Sequence, residues 1–91
     1  MTDPTDDALT LDGNGIAGLL REVFGTEMTA VPRGCQSCGA VNPLAAHRAY
    51  QAAGTVLRCP ACADIALTVV AAGDQLVVRM HGTWTFSVPR A

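Results

Sequence analysis

Apolar positions change their period partway along the chain. Between Gly13 and Phe24, Ile16, Leu19, Leu20, Val23 and Phe24 recur at helical spacing and share one face. Asp12 stands where an N-cap belongs, and Leu11 with Ile16 fits a hydrophobic staple. Gly25 suits the left-handed residue that closes a helix. The pattern predicts a helix over 13–24. Gly15 and Gly18 weaken it by up to about 1 kcal/mol each relative to Ala, and their bare faces could admit another backbone. A helix this short needs a surface to cover its stripe.

Beyond the helix the period falls to two. Thr26 to Gly34 reads as a strand, placed at a sheet edge by Pro32. Asn42-Pro43 marks a turn. His47 to Ala52 reads as a strand or, from its Ala content, as a short helix. Thr55 to Arg58 is a short strand. Ile65, Leu67 and Val69 alternate with Ala66, Thr68 and Val70, and Gly73-Asp74 is a hairpin turn signal. Leu76, Val78 and Met80 then face inward against Val77 and Arg79. Last, Trp84, Phe86 and Val88 alternate with Thr83, Thr85 and Ser87, a half-buried strand pattern.

Two cysteine pairs sit among these strands: Cys35-Gln36-Ser37-Cys38 and Cys59-Pro60-Ala61-Cys62. The chain has 4 cysteines, so the pairs hold all of them. The interval from Gly39 to Arg58 gives C-x2-C-x20-C-x2-C, a four-cysteine zinc spacing. Two thiolates three positions apart can face one ion from a tight turn, and two such knuckles complete a closed tetrahedron. Gly39 can turn backbone amides toward the sulfurs. The expected site is one zinc ion held by Cys35, Cys38, Cys59 and Cys62, with iron as the alternative. A structural ion also helps a chain of 91 residues whose core is small.

The expected fold class is therefore mainly β, a small α+β protein. A zinc ribbon of about six short antiparallel strands follows an N-terminal helix and carries a C-terminal β-hairpin. Residues 1–10 form a flexible acidic tail, and 11–91 a single domain: helix 13–24, ribbon 26–70, hairpin 75–88.

Charge narrows the partners. Asp3, Asp6, Asp7 and Asp12 crowd the beginning without a basic neighbour. From Gly13 onward, Arg21, Arg33, Arg48, Arg58, Arg79 and Arg90 outnumber Glu22, Glu27, Asp64 and Asp74 by two. Four thiolates on a divalent ion carry a net −2, which neutralises that body. All the basic residues are Arg, too few for a general phosphate-backbone surface. Charged residues are 15% of the chain against roughly 25% in ordinary soluble domains. A weakly charged surface suits contact with a protein partner, and high-GC codon bias explains it equally well. The opening residues lack a basic and then apolar leader. No run approaches the ~20 apolar residues of a membrane span. The expected setting is cytoplasmic, where paired cysteines serve as metal ligands rather than disulfides.

Other chemistry-bearing residues carry less. Arg33 and Arg58 precede the two knuckles. They could recognise an anionic partner, but offsetting the thiolate charge is the preferred reading. His47 and His81 are surplus to a filled tetrahedron and read as surface histidines. Asp64 could pair with Arg58 or Arg33. Trp84 and Phe86 read as core rather than as a contact patch. A closed four-thiolate site leaves no position for water, so the chain is expected to act by binding and not as an enzyme.

Leu11-Asp12-Gly13-Asn14, Leu19 to Gly25, Met28-Thr29, Cys35-x-x-Cys38-Gly39-Ala40, Pro43-Leu44 and Gly54 to Cys62 together resemble a family of small actinobacterial zinc-ribbon-like proteins of unknown function. The resemblance spans about 11–88, with Ala61 where that family usually has Gly, and implies no activity. Over about 35–70 the chain is similar to zinc ribbons at large, which implies a structural zinc on the four cysteines. The knuckles also resemble those of rubredoxins, which carry one electron on iron. Against that, the interval between knuckles is shorter, Ala63 replaces a Gly, and an aromatic-rich core is missing. A zinc-binding accessory protein with a protein partner is the leading expectation. A rubredoxin-like electron carrier and a nucleic-acid-binding ribbon are the alternatives.

Overall fold

The computed structural model describes residues 10–90. In chain order these form β1 (Thr10–Asp12), a 3-10 turn (Gly13–Ile16), α1 (Ala17–Phe24), β2 (Pro32–Gly34), β3 (Val41–Pro43), a second 3-10 turn (Leu44–Ala46), β4 (Arg48–Gln51), β5 (Thr55–Arg58), β6 (Ile65–Ala72), β7 (Gln75–Met80) and β8 (Thr83–Trp84). The strands make two antiparallel sheets, one in the order β1-β4-β5-β6-β7 and one in the order β3-β2-β8. The fold is thus mainly β with an N-terminal helix, as expected. Of the expected tail, residues 1–9 lie outside the described region, and Thr10 begins β1.

The core follows from strand register. Leu11 pairs with Ala49, Ala49 with Leu57, Leu57 with Leu67, and Leu67 with Met80. Because opposed residues share a face, one apolar row crosses all five strands. Ala49, Leu57 and Leu67 in that row are fully buried. Ile16, Leu20, Met28, Val31 and Leu44 pack onto it, joined by the half-buried Leu19, Val23 and Phe24 of α1. Each buried Leu is worth about 1.5–3 kcal/mol, so this layer supplies the stability that the helix lacks alone. The other face carries Tyr50, Val56, Thr68 and Arg79 in register and is at least partly open to solvent.

The helix begins and ends as expected. Asp12 accepts a hydrogen bond from the Gly15 amide at 2.9 Å, and Gly25 closes α1 in the left-handed region. The backbone approach anticipated at Gly15 and Gly18 falls instead at Gly13. Its amide donates to the His47 carbonyl at 2.9 Å, and any Cβ would land on the Leu44 carbonyl.

Three expectations about strands change. Only Pro32–Gly34 of the stretch 26–34 is extended. Met28 and Val31 bend into the core, and Thr29 and Val31 accept from the Ala45 and Leu44 amides. Among the described residues eight strands form rather than about six, because β1 and β3 are three-residue pieces too short to alternate visibly. The stretch 75–88 is not a hairpin. β7 pairs with β6, whereas β8 crosses to pair with β2, so that Arg33 faces Trp84 and Gly34 faces Thr83. Gly82, at φ 86, turns the chain between the two sheets. Strand structure ends at Trp84, leaving Phe86 and Val88 exposed. Leu76 and Met80, expected inward, are 38% and 42% exposed, because β7 is an outer strand beyond the cover of α1.

Glycine positions give a paired prediction. Gly13→Ala should cost about 1–3 kcal/mol or more through overpacking against Leu44. Gly18→Ala, exposed in α1 with open space around it, should gain about 0.5 kcal/mol. Chemical denaturation of both variants measures the contrast.

Candidate metal centre

Each cysteine pair forms the turn of a hairpin. The first connects β2 to β3 and the second connects β5 to β6, so the two belong to different sheets. Their local geometry is the same. Gly34 pairs with Val41 and Arg58 with Ile65 across the two turns. The Cys35 amide donates to the Ala40 carbonyl and the Cys59 amide to the Asp64 carbonyl, both at 2.9 Å. The Gly39 amide returns to the Cys35 carbonyl, as the Ala63 amide does to that of Cys59. Gly39 and Ala63 take φ 74 and 67 at equivalent positions. Ala63 is the one non-Gly residue with positive φ among those described. The tight turn therefore demands that conformation from whichever residue occupies it. The resulting fold aims the Ser37 and Ala61 amides at the Cys35 and Cys59 sulfurs, each at 3.4 Å.

The four sulfurs meet between the hairpins and lie within 4.8 Å of one another. Across the gap, Cys35 Sγ is 3.6 Å from Cys62 Sγ, and Cys38 Sγ is 3.7 Å from Cys59 Sγ. A tetrahedral ion with metal–sulfur bonds near 2.3 Å requires sulfurs about 3.8 Å apart. The residues present thus fit a four-coordinate metal ion. Cys35 and Cys59 are buried, whereas Cys38 and Cys62 face solvent. Without a metal the sulfurs do not ionise alike. The amides of Cys38 and Ser37 bring Cys35 down to about 6. At Cys62 the Asp64 amide also pulls downward, but burial and the three neighbouring sulfurs outweigh it and push the thiol up to about 12. At Cys59 burial pushes upward, but the Cys62 and Ala61 amides and the Cys38 sulfur outweigh it and hold the thiol below its ordinary range. Ionisation is thus favoured at Cys35 and Cys59 and resisted at Cys62, an imbalance that a cation would relieve.

A polar network joins the knuckles independently of sulfur. Gln36 Nε2 donates to Asp64 Oδ2 at 2.8 Å and to the Ile65 carbonyl at 3.1 Å. The Ser37 hydroxyl donates to the same Asp64 oxygen. Ser37 first, then the Ile65 amide and Gln36, hold Asp64 below the usual carboxylate range. The expected Asp64–arginine pair is replaced by these contacts. Arg58 instead donates to the Ala63 carbonyl at 3.0 Å and stacks over Tyr50.

The two residues that sequence placed furthest from their true setting are Arg33 and His47. Arg33 is 0% exposed and His47 1%. Arg33 Nε donates to the His81 carbonyl at 2.9 Å and Nη2 to Gln36 Oε1 at 2.5 Å. Arg33 Nη1 lies 3.2 Å from His47 Nε2, and His47 Nδ1 lies 3.0 Å from the Pro43 carbonyl. A guanidinium only donates, so Nε2 accepts and Nδ1–H donates to Pro43. His47 is therefore a buried, neutral part of the scaffold, not a surface histidine. Burial holds it below its ordinary range; the Pro43 carbonyl opposes this, and the Arg33 charge adds to the lowering. His81 is exposed, as expected, but its carbonyl is structural, accepting also from Trp84 Nε1 at 2.8 Å. Trp84 is half-buried and Phe86 39% exposed, both against Phe24 with ring centroids 5.8 and 6.1 Å away.

Two hairpins from different sheets, each delivering a Cys-x-x-Cys turn to one point, define a small β protein with zinc-ribbon-like knuckles. Over residues 5–91 the chain matches the family model described as a family of unknown function, DUF6510, and it belongs to that family. No curated protein and no solved structure matches it.

The equivalence of the knuckles predicts opposite responses at one position. Ala63→Gly should stabilise the metal-loaded chain by about 1 kcal/mol, and Gly39→Ala should destabilise it by about 1–2 kcal/mol. Thermal unfolding reads both. His47 gives a pH signature. Its folded-state pKa is depressed, so the unfolded chain takes the proton first as pH falls. That contribution to stability is complete above about pH 6.5 and is lost progressively below it. In urea unfolding between about pH 7 and 5.5, His47→Gln should show a shallower decline than the unmodified chain.

Proposed function

We propose that this chain is a small zinc-binding accessory protein that works by binding another protein. The carrying observation is the pair of cross-knuckle sulfur separations, 3.6 and 3.7 Å, which suit one tetrahedral ion held by Cys35, Cys38, Cys59 and Cys62. With four protein ligands zinc has no open position for water, which favours a structural role over metal-assisted hydrolysis. The clamp then holds surfaces in place. The apolar face of α1 is spent on the core, so the β6–β7 hairpin is the better contact surface. Val70 and Val77 oppose each other on one face, each 45% exposed, with Leu76 and Met80 on the other. β7 ends its sheet, and an outer strand can accept an extended segment of a partner. Recognition of nucleic acid is disfavoured, since Arg33 is buried and Arg58 is engaged with Ala63 and Tyr50. A cytoplasmic setting accords with the reduced thiols this site needs. Among the described residues no helix is long and apolar enough to cross a membrane.

One observation favours the iron alternative. Ala63 adopts the same left-handed conformation as Gly39, so its departure from the rubredoxin pattern does not alter the turn. Tetrahedral four-sulfur sites suit either zinc or iron. Metal analysis with a visible spectrum on the chain from iron-replete cells separates the two. The expected result is a colourless protein with about one zinc per chain; a coloured iron protein would make it an electron carrier. For the binding role, Val77→Glu should abolish co-purification of a stoichiometric protein partner. Absence of any such partner with the unmodified chain contradicts that role.

A further inference from the structure

A buried guanidinium without a carboxylate against it is costly, and Arg33 is in that position. It is 0% exposed, and its acceptors are the His81 carbonyl, the neutral His47 ring and the Gln36 amide. None of them carries charge. The carboxylate in the network, Asp64, is reached only through Gln36. Arg33 stands at the centre of β2, two residues before Cys35, and its acceptor Gln36 lies within the first knuckle. Four thiolates on one divalent ion bring a net −2 to that place. We propose that Arg33 is the buried counter-cation of the four-cysteine centre and couples its metal state to the seating of strand β8. The proposal rests on the reading that the four cysteines hold a divalent ion.

The coupling to β8 has its own geometry. β2 is the strand partner of β8, with Arg33 opposite Trp84. The His81 carbonyl accepts from both Arg33 Nε and Trp84 Nε1. A Cβ on Gly82 would sit 3.1 and 3.2 Å from Arg33 Nε and Nη2, so the backbone of this turn closes directly over the guanidinium. Loss of the ion releases the first knuckle, and with it Gln36, the acceptor at Arg33 Nη2. The segment packed over that charge is then the first to loosen. Trp84, the sole tryptophan, stacks on Phe24 there and reports the change.

The test uses the full chain, stripped with a chelator and titrated with zinc under reducing conditions. Trp84 emission should change in parallel with zinc uptake and stop changing at about one equivalent. Competition with a chromophoric chelator should show Arg33→Met binding zinc about 10- to 100-fold more weakly. Arg33→Lys, which keeps the charge without the fork, should recover much of that loss. Zinc uptake with silent Trp84 emission overturns the proposal. So does Arg33→Met with wild-type affinity, or Arg33→Lys as weak as Arg33→Met. The Trp84 titration needs no variant and decides the coupling even if Arg33→Met does not fold. Failure of the unmodified chain to take up zinc is a different result, since it removes the divalent-ion reading itself.

Discussion

Four sulfurs can stay within 4.8 Å of one another only if the hairpins that carry them are held too. Those hairpins lie in different sheets, so sulfur geometry and sheet packing constrain each other. Within each knuckle the backbone does the local work through matched amide–carbonyl bonds and one left-handed residue. Between knuckles, Gln36 and Ser37 reach across to Asp64 and the start of β6. The centre is thus a junction at which the three-stranded sheet is fastened to the five-stranded one.

Polar residues at that junction replace what a larger apolar core would otherwise provide. Arg33 satisfies donors on three of its nitrogens, and His47 uses both ring nitrogens. A partly satisfied network of this kind would be worse than an apolar core. The short strand β8 makes it complete, since its approach brings the His81 carbonyl over Arg33. The same strand brings Trp84 and Phe86 against Phe24. One two-residue strand therefore links the four-cysteine centre, through aromatic contact, to the end of α1.

This division leaves the molecule with distinct surfaces. The face of the large sheet under α1 is committed to the core, and the knuckles are committed to one another. The β6–β7 hairpin extends past the helix with apolar side chains on both faces. Membership of a family of unknown function adds no activity to that picture. A function, on the proposal made above, belongs to what the junction displays rather than to the sulfurs.

Sequence by itself determined the elements whose causes are local. The 13–24 helix was legible because its stripe, cap and closing glycine all lie within one stretch. The four cysteines were legible because knuckle geometry is set by three-residue spacing and a turn. Strands β6 and β7 announced themselves by alternation. Tertiary structure decided the rest. His47 looks like a surface residue in sequence and the burial of Arg33 is not visible there, since burial of a polar group depends on partners such as the His81 carbonyl, 48 positions from Arg33. The path of β8 was likewise hidden, because alternation identifies a strand but not its neighbour. Strand pairing and polar burial are both settled by which distant groups arrive to satisfy hydrogen bonds, and no local pattern records that.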